Sequence, residues 1–368
     1  MWFISGKPIG EIYKMKINKV ALFTDIHWGK KSNSDQHNQD CLDYINWFCE
    51  NVKSDKDIDG IIFLGDWFNN RSSIDVKTLT YSQKGAEILN SLGIPVYFIV
   101  GNHDLYYRKN REIYSVFKFN SLDNFVVINE PNVFNELGSG SFLSPYLFHH
   151  EYYSEEITSM FKSTKYSFGH FEFKSFIVSG SASIRMPSGP EPDDFSYQEH
   201  IFSGHFHKRQ AHKNIVYIGN TFPLDFSDIN DSERGMCTFD FNTNEVLFTD
   251  WEDCPKFIKT DLTQVLNILK EKDNKFFKPK TSVRCLMDKP ISYEQNIRIK
   301  SLLKEKYKLR TFELEESPAI KESIEHTISN TDDVLSIQDT VLTMLGDIKS
   351  KHINADKLIT IYKDLKRK

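Results

Sequence analysis

Seven residues of this 368-residue chain could act together on one reaction: Asp25, His27, Asp66, Asn102, His170, His205 and His207. Each offers an oxygen or an imidazole nitrogen to a metal ion. They fall in five short segments, "FTDIH", "FLGD", "IVGNHD", "SFGH" and "FSGHFH". Each segment begins apolar and turns polar abruptly, and in four of the five a glycine introduces the polar residue. Four imidazoles, two carboxylates and one amide, with no cysteine, suit manganese, iron, zinc or a similar ion better than magnesium alone. The count fits two ions sharing one bridging carboxylate. Taken singly, each histidine reads as structural or exposed. The Gly-Asn-His-Asp stretch from Gly101 to Asp104 likewise reads as a turn whose Asn and Asp bond their own backbone. One pattern repeated at five places argues against that.

The elements that must position these residues are legible in the apolar pattern. "KVALFTD", "GIIFLGD" and "VYFIVGN" predict strands. Between the first two, Cys41, Tyr44, Ile45, Phe48 and Val52 recur at helical spacing within 35–52. A second helix, expected from about residue 77 to 92, stops at Gly93. Such alternation predicts a sheet with parallel strands and helices on its faces. Further on, "NFVVINE", "KYSFGH", "HIFSGH", "IVYIGN", "MCTFDF" and "EVLFTD" follow with little helix between the later ones. They predict a second sheet packed on the first, an α/β sandwich. Residues i and i+2 of a strand face the same way, so Asp25 with His27, and His205 with His207, are expected to converge. Loops at the carboxyl ends of such strands are where α/β proteins place their sites.

Residues 1–14 precede this pattern as an N-terminal extension, and the sandwich is expected to occupy 15–254. From 255 to 316 the pattern changes to a small α+β module of strands and helices. The remainder, 317–368, reads as mostly helical with two apolar stripes. Val334, Leu335, Val341, Leu342, Leu345 and Ile348 mark one; Leu358, Ile359, Ile361, Tyr362 and Leu365 mark the other.

A net charge of -5 does not announce a basic nucleic-acid binder. It does not exclude one, because bound divalent ions add positive charge of their own. Basic clusters at Lys30-Lys31, Arg108 to Arg111 and Lys208-Arg209 lie just beyond polar segments. Five cysteines without a CxxC pair point to a reduced, cytoplasmic setting. No apolar run suits a secretory signal or a membrane span, so no membrane role is expected.

Together, D25-x-H27, G65-D66, G101-N102-H103-D104, G169-H170 and G204-H205-x-H207 resemble the calcineurin-like metallophosphoesterase superfamily, in order and spacing from about Ile17 to Trp251. Within it the likeness is to the nuclease subunit of the meiotic-recombination-eleven and SbcD type, especially its tailed-phage form. "DIHWGKK" is similar to that group's opening, with Trp28 in place of the usual leucine. "GHFEF", "SGHFHKR", "VYIGNTFPLDFSD" and "ERGMCTFD" resemble its later segments.

The resemblance implies one metal on Asp25, His27, Asp66 and His207, and a second on Asp66, Asn102, His170 and His205, with Asp66 bridging. It implies His103 as a non-ligand acid. Three residues after Asp66 the group often has His or Asp, and here Asn69 stands, which puts that position's contribution in doubt. Two divalent ions are expected, manganese first, with magnesium, iron or zinc as alternatives. Lys30, Arg71, Arg108 and Lys208 are expected to contact substrate. The implied activity is DNA phosphodiester hydrolysis in repair, recombination or replication, in the host cytoplasm if the protein is phage-encoded. The module at 255–316 would be a DNA-facing capping domain. The helices of 317–368 would dock on an SMC-like coiled-coil ATPase, and homodimerisation stays open. A small-molecule or protein phosphoesterase would need neither the module nor the tail, and a non-catalytic scaffold would not need every ligand.

Overall fold

Four of the apolar runs become parallel strands: β1 (Lys19–Phe23), β2 (Gly60–Phe63), β3 (Val96–Ile99) and β4 (Phe125–Ile128). The computed structural model describes residues 16–179, 184–229, 233–271, 276–316, 342, 345 and 354–365, so the extension at 1–14 lies outside the described residues. Helices α1 (Asp35–Ser54) and α2 (Val76–Asn90) connect the first three strands. Each starts at a capping side chain, Ser34 accepting from the His37 N–H and Asp75 from the Lys77 N–H, which satisfies donors the first helical turn leaves unpaired.

The second sheet contains β5 (Asn132–Phe134), β6 (Ser141–Ser144), β7 (Tyr166–Gly169), β10 (His200–Ser203), β11 (Gln210–His212) and β12 (Ile215–Tyr217). Helix α3 (Glu155–Ser163) precedes β7, and β8 (Ile177–Ser179) pairs with β9 (Ile184–Arg185) as a separate ribbon. Its order is β11-β12-β10-β7-β6-β5, with β6, β7, β10 and β12 parallel. The chain then returns to the first sheet as β13 (Gly235–Asp240) and β14 (Glu245–Asp250), giving the order β14-β13-β1-β2-β3-β4.

Side-chain alternation sorts the apolar residues into layers. Val20, Leu22, Ile62, Tyr97 and Ile99 pack against Leu143, Phe168, Phe202 and Val216 of the second sheet. Phe23, Phe63 and Phe98 point the other way, onto Tyr44, Ile45, Phe48, Ala86 and Leu89 of the helices. On the far side, Phe142, Ile201 and Tyr217 meet Ile157 and Phe161 of α3. The result is the expected α/β sandwich: helices, sheet, sheet, helix. The ends of the parallel strands from both sheets therefore open on one edge of the sandwich.

A third, wholly parallel sheet contains β15 (Lys256–Asp261), β16 (Thr281–Met287) and β17 (Thr311–Glu316), with α4 (Leu262–Glu271) and α5 (Tyr293–Tyr307) between them. It has a core of its own, including Leu262, Val265, Val283, Cys285, Ile299 and Leu303. Its seam with α1 is charged rather than apolar. The Arg310 guanidinium grips the Asp40 carboxylate, and Lys280 Nζ lies 2.7 Å from Asp43 Oδ2.

Of the tail, Leu342, Leu345 and α6 (Ala355–Leu365) are described. The rest of the first apolar stripe, Val334, Leu335, Val341 and Ile348, lies outside the described residues. On α6, Ile361 is 49% exposed. All five cysteines are free and buried. Among the described residues, no helix is long and apolar enough to cross a membrane.

Candidate metal centre

All the predicted ligands follow the carboxyl ends of parallel strands: Asp25 and His27 after β1, Asp66 after β2, Asn102 after β3, His170 after β7, His205 and His207 after β10. The way they converge differs from the strand alternation expected for them. Strand pairing ends at Phe23 and Ser203, short of the ligands. Asp25, His27, Asp66 and His205 instead take left-handed backbone, with φ of 53°, 52°, 62° and 82°. Side chains other than glycine seldom adopt this region, and where they do the strain clusters at functional sites. His205 and His207 consequently turn toward different partners.

All four introducing glycines, Gly65, Gly101, Gly169 and Gly204, sit where a Cβ would crowd its neighbours. A Cβ on Gly101 would lie 2.2 Å from the Asp66 backbone nitrogen, and one on Gly204 would lie 2.1 Å from Thr24 Oγ1.

Two groups of ligands result, with Asp66 between them. In the first, His27 Nε2 lies 3.1 Å from His207 Nε2 and 3.7 Å from Asp25 Oδ1. Asp66 Oδ2 is 3.8 Å from the same His27 nitrogen. In the second, His170 Nε2 is 3.4 Å from Asp66 Oδ1 and 2.9 Å from Asn102 Oδ1. His205 Nδ1 lies 3.0 Å from Asn102 Oδ1 and 3.2 Å from His170 Nε2. The two Asp66 oxygens are thus divided between the groups.

The donor atoms fit cations. Asp25 Oδ2 accepts from Thr24 Oγ1 at 2.7 Å and from the His205 N–H at 3.0 Å. Its Oδ1 is buried with no hydrogen-bond partner among the described residues, and it faces His27 and His207. The His170 Nδ1–H donates to the Leu64 carbonyl at 2.7 Å, so its Nε2, set against the acceptor oxygens of Asp66 and Asn102, calls for a proton or a metal ion between them. A buried carboxylate oxygen without a donor, and a ring nitrogen set against acceptor oxygens, are what bound cations satisfy.

Electrostatics agree. Burial alone would raise the Asp66 carboxyl, but His170 foremost, then His103 and His27, hold it well below the usual range. Burial works against a charge on His170, yet the Asp66 and Asp25 carboxylates push it up to about 9. Around His170 the site stabilises positive charge, so an incoming ion competes with a proton there, whereas burial pushes His27 down and His207 down to about 3, leaving both neutral and ready to ligate.

His103 is outside the seven expected ligands, yet it offers a ring nitrogen within 4.8 Å of the ligand atoms of His27 and Asp66. Its Nδ1–H donates to the Asn69 carbonyl at 2.7 Å, and its backbone N–H donates to Asp66 Oδ1 at 2.8 Å. The contribution of position 69 to this contact is its backbone. The Asn69 side chain turns to Asn70 instead, at 3.2 Å.

Asp104, fully buried, accepts from the backbone N–H groups of Gly101, Asp66, Trp67 and Phe68 at 3.0–3.1 Å. It binds the turn after β3 to the loop after β2. Asp104→Ala is expected to leave these four buried donors unpaired and to cost about 3 kcal/mol or more of stability. Urea denaturation checks this, and an unchanged midpoint counts against it.

Beyond the pattern lie contacts the sequence does not announce. Glu172 Oε2 lies 3.2 Å from His205 Nε2 and accepts from Tyr146 Oη at 3.3 Å. The His37 Nε2–H donates to the His27 carbonyl at 2.9 Å, and burial keeps that imidazole neutral, pushed down to about 3. Beside His103 a cavity of about 380 Å³ is lined by Arg71, Leu105, Arg108, Tyr146 and Phe148. Lys30 is paired with Asp225 at 3.1 Å, and Lys208 follows His207 directly.

The two-sheet α/β sandwich thus gathers at one edge Asp and His clusters able to hold metal ions. The calcineurin-like phosphoesterase family profile matches residues 18–209, just over half of the 368, and the chain belongs to that family. Exonuclease subunit 1 of Enterobacteria phage T4 is 30% identical over 237 residues, 62% of this chain and 67% of that one. The DNA double-strand break repair protein Mre11 of Methanocaldococcus jannaschii is 22% identical over 253 residues, 65% of this chain and 68% of its own. Among solved structures, a dimetal phosphatase from Danio rerio aligns at 9% identity with a TM-score of 0.39, over 61% of this chain and 93% of the other.

Proposed function

We propose that this protein is a metal-dependent DNA nuclease that acts with an SMC-like ATPase in recombination, repair or replication. The observation that carries this is the pair of ligand groups sharing Asp66, with the arginine- and aromatic-lined cavity beside them. One ion would be held by Asp25, His27, Asp66 and His207, the other by Asp66, Asn102, His170 and His205. Two divalent ions there, manganese foremost, would supply Lewis acidity toward phosphate and lower the pKa of water near neutrality.

The protein's own groups do the rest. Arg71 and Arg108 attract the phosphate backbone, since guanidinium matches phosphate geometry. Tyr146 and Phe148 offer rings on which a base can stack. Lys208, directly after His207, adds positive charge to the rim, and Lys30 would exchange its Asp225 partner for phosphate. His103, fixed through Nδ1 by the Asn69 carbonyl, would use Nε2 to carry a proton to the departing oxygen.

The names of the two relatives support DNA as the substrate, and "subunit" in the phage name supports a partner. The module of β15 to β17 is taken as a cap facing DNA, and the segment 317–368 as the ATPase-docking region. The test is hydrolysis of linear and hairpin DNA with manganese against magnesium, beside a nitrophenyl phosphodiester. Manganese-dependent cleavage of DNA is expected. Activity on the small ester alone would point to a small-molecule phosphoesterase.

A further inference from the structure

Glu172 holds no ligand position, yet it is the group behind one of the ligands. His205 turns Nδ1 toward Asn102 and His170, at 3.0 and 3.2 Å, and Nε2 toward Glu172 Oε2 at 3.2 Å. A neutral imidazole has one N–H and one lone pair, and an ionised carboxylate can only accept. The proton therefore sits on Nε2, and the lone pair is on Nδ1.

Glu172 is itself fixed from two sides. Its backbone N–H donates to Tyr152 Oη at 2.8 Å, and Tyr146 Oη donates to its Oε2 at 3.3 Å. The Tyr146 ring lies 5.7 Å from the His205 ring and also lines the cavity beside His103.

The two histidines of this group are anchored differently. The His170 side chain is fully buried and tied to the backbone carbonyl of Leu64, a contact no side-chain change at the acceptor removes. The His205 side chain is 18% exposed, so without Glu172 it could turn over or exchange its proton with water.

We infer that Glu172 is a positioning residue of the metal centre: it sets the tautomer and rotation of His205, so that Nδ1 is offered to the second ion, and through Tyr146 it ties that ligand to the wall of the substrate cavity. This rests on the ligand assignment proposed above. Acceptors behind a ligating histidine typically contribute about 10–100-fold in metal affinity.

The experiment is a manganese titration of the full chain, followed by the electron paramagnetic resonance of free ion and by metal content after dialysis. The parent, Glu172→Ala, Glu172→Gln and His205→Ala are compared. The parent is expected to hold two ions, and His205→Ala to lose the second. Glu172→Ala should weaken the second ion by about 10–100-fold and leave the first unchanged. Glu172→Gln, whose amide oxygen still accepts from Nε2–H, should recover most of that loss. A merely structural role would weaken both ions together, and that result overturns the inference. Parent-like affinity in Glu172→Ala, with the second ion lost in His205→Ala, overturns the role of Glu172 alone. Two retained ions in His205→Ala overturn the ligand assignment and this inference with it.

Discussion

Asp66→Ala is expected to leave the protein with neither metal ion, whereas His207→Ala should weaken only one. The reason is the division of Asp66: Oδ2 faces His27 and Oδ1 faces His170, while His207 approaches only the group of Asp25 and His27. Removing the shared carboxylate takes a charge from both groups at once. Asp66 Oδ1 also accepts from the His103 N–H, so the alanine variant could disturb that turn. Asp66→Asn keeps an acceptor there and removes only the charge, and it should lose metal nearly as fully. Metal content per chain after dialysis decides between outcomes. Equal loss in the Asp66 and His207 variants, or two ions kept by Asp66→Ala, would count against a shared ligand.

The second large effect is expected at His103. An alkoxide leaving from a phosphodiester is a strong base, and protonating it as it departs accelerates cleavage by about 10²–10⁴-fold. The Nδ1–H of His103 is engaged by the Asn69 carbonyl, so Nε2 is the nitrogen that can deliver a proton to the cavity. His103→Ala should reduce DNA turnover by that factor, with metal content, folding and DNA affinity nearly unchanged. The loss should be smallest on a nitrophenyl diester, whose leaving group needs no proton. A variant that cleaves DNA at the parent rate, or that arrives without metal, would show that His103 packs the turn or ligates instead.

What could be read from the sequence follows from which interactions are local. The buried strands β1, β2 and β3 are unbroken apolar runs, and α1 carries its stripe at regular helical spacing, so their order was plain. The ligands were legible because each sits within a few residues of a strand end. Their convergence was not legible in detail. Alternation assumes that strand geometry continues, and the left-handed backbone at Asp25, His27 and His205 replaces it. Tyr146 gave no signal, and Glu172 stood inside "GHFEF" with nothing to mark its contact. Their contacts join loops after different strands of the second sheet, and only sheet register brings them together. The role of Asn69 was hidden for another reason, since a carbonyl is the same in every residue type.

The placement of the two ligand groups has a mechanical consequence. Asp25, His27, Asp66 and Asn102 hang from the first sheet, while His170, His205 and His207 hang from the second. Each group therefore draws on both sheets, and each ion would act as a rivet driven through the open edge of the sandwich. Between the layers lies apolar packing, Val20 and Leu22 against Phe168 and Phe202 among it. At this edge Coulombic attraction would fix the spacing, and the bonds from the His205 N–H to Asp25 and from the His170 Nδ1–H to the Leu64 carbonyl are stitches already in place. Loading metal would then stiffen the rim that carries Arg71, Arg108, Tyr146 and Phe148, so that the metal centre and its frame are completed in one event.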